Sequence, residues 1–182
     1  ESFGNNNHGQ IYSGRALEFD GVSDHLDLGS QITFSTGAWT LSCWVYISAY
    51  AASNADNIIG AGGTSTSYLG VDTGGKLTIY DLADSAWRDG NTALELNTWY
   101  RAVYAYDGSG TITFYVNGVA DGTGVLQTSS TNDDLKFRYI GAQSSTSRLW
   151  DGMLSDLQMW DAAFSADDAL YDYNNPEQLA LN

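Results

Sequence analysis

The sequence predicts an all-β fold in which two antiparallel sheets form a sandwich, with one short C-terminal helix. Three observations support this prediction. Short runs of alternating apolar and polar residues follow one another closely from residue 15 onwards, and turn residues such as glycine, aspartate and asparagine separate them. The 182 residues include 20 Gly but one Pro, which suits strands joined by glycine turns. Six Trp and twelve Tyr supply the large apolar groups that a core between two sheets requires.

The chain divides into a short lead-in and one domain. Residues 1–14 are polar and rich in glycine, and we expect a lead-in or linker there. Residues 15–182 show neither an internal repeat nor a boundary strong enough to split them, so we expect a single domain.

The first two strands show the strand pattern most clearly. Leu17 and Phe19 would point to one side of the first strand, with Glu18 and Asp20 on the other side. Gly21 then permits the positive φ of a tight turn. The ten strands predicted in this way are residues 16–19, 25–28, 40–47, 57–61, 68–71, 76–80, 99–106, 111–116, 137–140 and 153–160.

Glycine turns and one capped helix complete the predicted elements. The runs at 72–75 and 107–110 combine Asp with Gly and favour hairpin connections, and Asn117-Gly118 leads into a short return strand. Ser165 can cap a helix whose first turn holds two aspartates, and that helix should end near Pro176.

The charge of the chain excludes some classes of partner. A formal net charge of −15 with two lysines, Lys76 and Lys136, argues against nucleic acid and against anionic membranes. No apolar run is long enough for a membrane insertion. The single cysteine, Cys43, rules out an internal disulfide and is predicted to be a buried apolar side chain.

Six sequence motifs, taken in their order along the chain, show a resemblance to a known family of folds. The chain resembles the laminin-G-like, concanavalin A-like lectin/glucanase jelly rolls, including their pentraxin-like branch, over roughly residues 15–175. The motifs that carry the resemblance are 17–24 (LEFDGVSD), 39–45 (WTLSCWV), 94–100 (LELNTWY), 106–108 (YDG), 114–118 (FYVNG) and 150–160 (WDGMLSDLQMW).

The resemblance implies a convex and a concave sheet, with ligand or calcium sites in the rim loops or on the concave face. Many relatives are secreted modules of larger surface or polysaccharide-acting proteins, and some occur in virion fibres. The pentraxin calcium loop carries a tight acidic cluster, whereas residues 140–145 here read Ile-Gly-Ala-Gln-Ser-Ser.

The sequence predicts no catalytic residues. Sandwich glycoside hydrolases need two carboxylates across a cleft, and their Glu-x-Asp-x-x-Glu run is absent. Glu18 and Glu95 are the only glutamates in or near the predicted strands. The two histidines, His8 and His25, lack the neighbours of a lyase site.

Acidic residues in the first turn suggest a structural calcium site. Asp20, Gly21 and Asp24 could offer carboxylate and carbonyl oxygens, the ligands that calcium prefers. The resemblance implies that calcium ties the first strand to the last, where Asp156 stands. The alternative is that Asp20 and Asp24 only hydrogen-bond the amides of their own turn.

A polar stretch at 84–91 is one candidate for sugar binding. Lectin sites combine a flat aromatic face with side chains that hydrogen-bond hydroxyl groups. Trp87, Arg88, Asp89 and Asn91 are predicted to lie in a loop between strands, where they could supply both. The alternative for Trp87 is local packing.

A second candidate surface for sugar binding runs from Gln143 to Arg148, with Tyr68 and Asp72 from a neighbouring hairpin. The adjoining Trp150 is expected to pack in the core.

Two classes of function remain at this point. One is a non-catalytic carbohydrate-binding or adhesion module of a larger extracellular protein, supported by calcium and binding a glycan or a cell-surface polysaccharide. The other is a structural or interaction domain of a surface or virion fibre protein, which binds protein partners and has no small-molecule site. Both place the chain outside the cell, at a cell surface or on a virion.

Overall fold

A computed structural model describes residues 16–35, 37–62, 68–81, 85–127 and 135–176 of the chain. The predicted linker at 1–14 lies outside these ranges. No helix within them is long and apolar enough to cross a membrane. The elements are the strands β1 Leu17–Asp20, β2 Leu26–Ser35, β3 Trp39–Ile47, β4 Ala55–Gly60, β5 Tyr68–Asp72, β6 Leu77–Asp81, β7 Ala86–Asp89, β8 Trp99–Tyr106, β9 Thr111–Val116, β10 Val119–Val125, β11 Leu135–Ile140 and β12 Asp151–Trp160, and the helix α1 Ala166–Asn174.

The strands form two six-stranded sheets, which confirms the predicted two-sheet antiparallel jelly-roll sandwich. Sheet A has the order β1-β12-β3-β8-β9-β10, and sheet B has the order β2-β11-β4-β5-β6-β7. All strand pairs between these neighbours are antiparallel. Strands distant in sequence therefore lie side by side, and β1 meets β12 at one edge of sheet A.

The strand prediction differs from the structure mainly at β2 and β7. β2 continues past Gly29, where the sequence prediction ended the strand at Leu28. Gly29 has a φ of +80°, and the pairing of β2 with β11 shifts register twice, so the strand accommodates the glycine as an irregularity. β7, Ala86–Asp89, was predicted to be a loop, because the stretch 84–91 is mostly polar and lacks an alternating core pattern.

The core between the sheets contains the apolar face of β3. Leu41, Cys43, Val45 and Ile47 are all buried in it, as the alternating pattern predicted. Burial raises the pKa of the Cys43 thiol to about 12, so this cysteine stays protonated and unreactive in the folded protein. Trp150, at 1% exposure, also packs in this core, as expected.

Helix α1 covers the outer face of sheet A and is tied to it by a buried ion pair. Ser165 caps the helix through a capping box with Asp168, as the sequence indicated for the cap. Arg101 on β8 donates from Nε and Nη2 to the two carboxylate oxygens of Asp172, both at 2.7 Å, and both side chains are fully buried. The Ser42 hydroxyl donates to the same carboxylate at 2.6 Å.

Candidate functional site

Three aromatic side chains form a row across the outer face of sheet B. Tyr68 on β5 lies opposite Tyr80 on β6, which lies opposite Trp87 on β7. The ring centroids of the two tyrosines are 5.7 Å apart with the rings nearly parallel, and those of Tyr80 and Trp87 are 4.8 Å apart. Since directly opposed residues point to the same side of a sheet, strand pairing fixes this row.

Arg148 lies against both ends of the aromatic row. Its guanidinium carbon is 5.4 Å from the ring centroid of Tyr68 and 5.2 Å from that of Trp87. These distances are typical of cation–π contacts. The Arg148 backbone is in the left-handed region, at a φ of +51°, and its carbonyl accepts a hydrogen bond from the Asn57 amide at 3.1 Å. The loop that carries Arg148 is therefore held against β4.

Gln143, from the same loop, completes the contacts around Tyr68. Its side chain hydrogen-bonds the Tyr68 hydroxyl. Burial raises the pKa of Tyr68, although the nearby Arg148 cation and the bond to Gln143 oppose this rise. Tyr68 therefore stays a neutral phenol and serves as a fixed, 6% exposed wall of the site.

A polar cleft of about 550 Å³ adjoins the row on the side of Arg148. Gln143 and Arg148 border both the cleft and the aromatic row. Its volume falls within the range of small-molecule sites in proteins. The polar residues that line it are Ser53, Asn54, Asp56, Gln143, Thr146, Ser147 and Arg148.

The two predicted sugar-binding surfaces are thus partly one site. Trp87 from the first prediction meets Tyr68, Gln143 and Arg148 from the second. Trp87 is in strand β7 and is half-buried, so the prediction that it lies in a loop is wrong. The reason is pairing with β6, which turns a polar stretch into a strand after the left-handed Ser85 at φ +57°.

Arg88 and Asp72 do not join this site. Arg88 follows Trp87 in the strand and so projects to the other face, where its Nε donates to the Val125 carbonyl at 2.5 Å. Asp72 is at the far end of β5 from Tyr68, and its carboxylate accepts the Gly74 and Lys76 amides at 2.8 Å. The side chains of both residues form hydrogen bonds to backbone groups outside the site.

Asp89 and Asn91 lie at the edge of the candidate site. Asp89 is on the same face as Trp87, two residues along β7, and its carboxylate accepts a hydrogen bond from the Thr78 hydroxyl. Asn91 is exposed beyond the end of the strand, and its backbone amide donates to Asp121. Of these two, Asp89 is the one that shares a face with the aromatic row.

The turn that was predicted to bind calcium is organised around its own amides. Asp20 Oδ1 accepts the backbone N–H groups of Val22, Ser23 and Asp24 at 2.8–2.9 Å. These bonds, with that of Ser23 the strongest, hold the pKa of Asp20 well below its usual range. The alternative hypothesis, that Asp20 only hydrogen-bonds the amides of its own turn, therefore accounts for the observed geometry.

The register of β1 against β12 separates Asp20 from Asp156. Asp20 lies opposite Asp151, and Leu17 lies opposite Leu154. Asp156 is five residues beyond Asp151, which corresponds to about 16 Å along a strand. Asp156 therefore lies far from the turn that holds Asp20, Gly21 and Asp24, and the last-strand residue opposite that turn is Asp151 instead of the predicted Asp156.

Sequence reasoning missed a different pair of carboxylates beside the cleft. Burial and, to a smaller extent, the charge of Asp151 raise the pKa of Asp56 to about 7. The neighbouring Asn57 is fully buried, and its Oδ1 has no hydrogen-bond partner. Within the described ranges, no three His, Cys, Asp or Glu side chains cluster closely enough for a metal site. A cation here would depend on two carboxylates supplemented by amide or backbone oxygens.

Several solved structures have a fold similar to that of this chain. A native heptameric SAP-like pentraxin from Limulus polyphemus matches 87% of this chain and 81% of its own, with 19% identity and a TM-score of 0.65. Domain 4 of a GH43 extracellular arabinanase from Geobacillus stearothermophilus, solved with arabinotriose, matches 80% of this chain and 68% of its own, with 16% identity and a TM-score of 0.57. The CBM40 of the Ruminococcus gnavus IT-sialidase, bound to α2,3-sialyllactose, matches 85% of this chain and 96% of its own, with 11% identity and a TM-score of 0.61.

These similarities establish the jelly-roll fold. No curated protein sequence matches this chain at a significant level. Residues 20–169 match the model of the family described as the concanavalin A-like lectin/glucanases superfamily. The chain belongs to this superfamily.

Proposed function

We propose that this domain is a non-catalytic carbohydrate-binding module. The observation that carries the proposal is the convergence of an aromatic row, an arginine and a polar cleft at one end of sheet B. Sugar rings have apolar faces that pack on aromatic side chains, and hydroxyl groups that need polar partners. The arabinanase domain solved with arabinotriose and the sialidase CBM40 bound to sialyllactose, which share the fold, support this function.

The parts of the site have separate tasks in this proposal. The accessible surfaces of Trp87 and Tyr80 would contact the apolar face of a sugar, while Gln143 and Ser147 would hydrogen-bond its hydroxyl groups. Strand pairing and loop hydrogen bonds already hold these groups, so binding would cost little conformational entropy. A module of this kind would anchor a larger extracellular protein to a glycan or a cell surface and so contribute to adhesion.

The absence of catalysis is part of the proposal. Glu18 and Glu95, the glutamates of the described ranges, do not line the cleft. Asp89, the carboxylate on the same face as Trp87, is bonded to Thr78. The site therefore offers binding groups but no opposed acid and base at the aromatic row.

Glycan binding should depend on Trp87. On a glycan array, we expect saturable binding to a limited set of sugars, and Trp87→Ala should weaken it by about tenfold or more. The matched control is Trp99→Ala, which removes a half-buried tryptophan from sheet A. A loss of binding that is equal in both variants, or an array without saturable binding, would argue against this site.

We also propose that calcium supports the module, and we assign it to Asp56 and Asp151 rather than to the turn. A divalent cation between these carboxylates would stabilise the charged form of Asp56, which burial and the charge of Asp151 disfavour. Calcium should therefore raise the melting temperature by about 5 °C over a chelated sample at pH 7.5. Asp56→Asn should abolish this rise, while Asp24→Asn should retain it. Identical melting of wild-type protein with calcium and with chelator would exclude the ion.

The pH dependence of the chelated protein tests the same carboxyl group. Asp56 keeps its proton up to about pH 7 when folded, against 3.8 for an ordinary aspartate. The folded state then binds more protons than the unfolded state between these values, so this group lowers stability as pH rises from about 4 to 7. Because Asp56 is partly exposed, the loss should be about 1–2 kcal/mol, and Asp56→Asn should remove it.

An interaction domain is the second candidate function. Leu17, Leu26, Leu28 and Ile32 are 40–47% exposed on β1 and β2, the edge strands of the two sheets. Exposed apolar edges of this kind pair with other chains. The glycan array separates the two functions, since a domain that only contacts proteins shows no saturable sugar binding.

A further inference from the structure

Arg148 differs from the other arginines in the described part of the chain. Arg88, Arg101 and Arg138 lie within 4 Å of the carboxylates of Asp81, Asp172 and Asp27, respectively. Arg148 has no carboxylate of the described residues within that distance, although this chain carries 22 acidic side chains. Such a pairing would be easy to obtain in so acidic a protein, so the unpaired state of Arg148 needs an explanation.

The surroundings of Arg148 make its unpaired charge costly. The side chain is half-buried between Tyr68 and Trp87, and its Nη1 is buried without any hydrogen-bond partner. Arginines out of full contact with water are normally paired, because desolvation of a lone cation is unfavourable. The cation–π contacts compensate only part of this cost. An anionic group beside the guanidinium would supply the missing counter-charge.

The position of Arg148 determines where that anion would come from. Arg148 lines the polar cleft beside the aromatic row, so a sugar in the proposed site would reach both. The planar fork of a guanidinium matches a carboxylate with two parallel hydrogen bonds. Asp56, which lines the same cleft, does not pair with Arg148.

We propose that the glycan recognised by this module is acidic, and that Arg148 receives the carboxylate of a uronic or sialic acid residue. The inference rests on the proposed function and adds the chemical class of the ligand. The negative net charge of the chain does not oppose it, because screening at physiological salt limits distant charges, whereas Arg148 would contact the carboxylate directly.

Pairs of acidic and neutral ligands test the proposal. Isothermal titration would compare the trimer of galacturonic acid with its full methyl ester, and 3′-sialyllactose with its carboxyl methyl ester. We expect one of the acidic ligands to bind about tenfold or more tightly than its neutral partner. The pair that shows the difference identifies the source of the carboxylate as a uronic or a sialic acid.

Variants of Arg148 then assign the difference to this residue. Arg148→Gln should bring the acidic and neutral ligands to within about twofold, and Arg148→Lys should restore part of the preference. Arg138→Gln, which removes an exposed arginine paired with Asp27, should retain the full preference. Thermal melting checks that each variant is folded.

The outcomes separate the two proposals. Equal binding of acidic and neutral ligands, or a preference that survives Arg148→Gln, would overturn the acidic-ligand inference and leave a glycan-binding module. No saturable binding on an array that holds both neutral and acidic glycans would overturn the proposed function, and the inference with it.

Discussion

Replacing Asp172 with alanine should lower the free energy of unfolding by about 3–5 kcal/mol. Asp172 holds Arg101 through two 2.7 Å hydrogen bonds, and both side chains have no exposed surface. The substitution leaves the Arg101 cation buried without its counter-charge, and it also removes the acceptor of the Ser42 hydroxyl. Helix α1 should then separate from sheet A before the rest of the domain unfolds. Chemical denaturation followed by circular dichroism measures the loss.

Two further variants distinguish the ion pair from a general effect on the helix. Asp167→Ala changes an exposed aspartate of the same helix and should cost at most about 1 kcal/mol. The double variant Arg101→Met with Asp172→Leu removes both charges and should recover most of the loss, since apolar replacements of buried ion pairs are well tolerated. If Asp172→Ala costs no more than Asp167→Ala, the ion pair does not hold the helix.

This ion pair also shows why the fold was easier to predict than its long-range contacts. The alternation of β3 and the cap at Ser165 are local patterns, and each is encoded within ten residues. Arg101 and Asp172 are 71 residues apart, and the sequence around each one predicts only an ordinary surface charge. Their partnership depends on the position at which α1 docks, which no local pattern specifies.

For the candidate site too, single residues could be predicted from local sequence, whereas their contacts could not. Trp87, Gln143 and Arg148 were identifiable one by one, because they stand in polar stretches where core packing does not explain them. Their proximity could not be predicted, because it requires β7 to fold back onto β6 and the loop after β11 to meet β4. For a related reason, the sequence could not show which residue of the last strand meets the first turn. The register that places Asp151 opposite Asp20 is set by a strand pairing across more than a hundred residues.

Gly60→Ala should disturb both stability and glycan binding through one close backbone contact. Gly60 ends β4, and a Cβ there would lie against Ala142 and Gln143, only 2.6 Å from the Gln143 carbonyl oxygen. These atoms are backbone and cannot rotate away, so the loop that carries Arg148 must move. The Gly62 amide donates to the same carbonyl at 3.0 Å, and this bond would be strained as well. We expect a loss of about 2–3 kcal/mol in unfolding free energy.

The loss of binding should exceed what the loss of stability explains. At 15 °C, where the variant remains mostly folded, glycan affinity should still fall by about tenfold, because displacement of the loop separates Arg148 from Tyr68 and Trp87. Gly37→Ala is the matched control, since a Cβ at Gly37 meets no atom within 4 Å. Its melting temperature and its affinity should both resemble those of the wild type. A Gly60→Ala variant with reduced stability and unchanged affinity would show that the position of the Arg148 loop does not matter for binding, and the site would then have to lie elsewhere on the sheet.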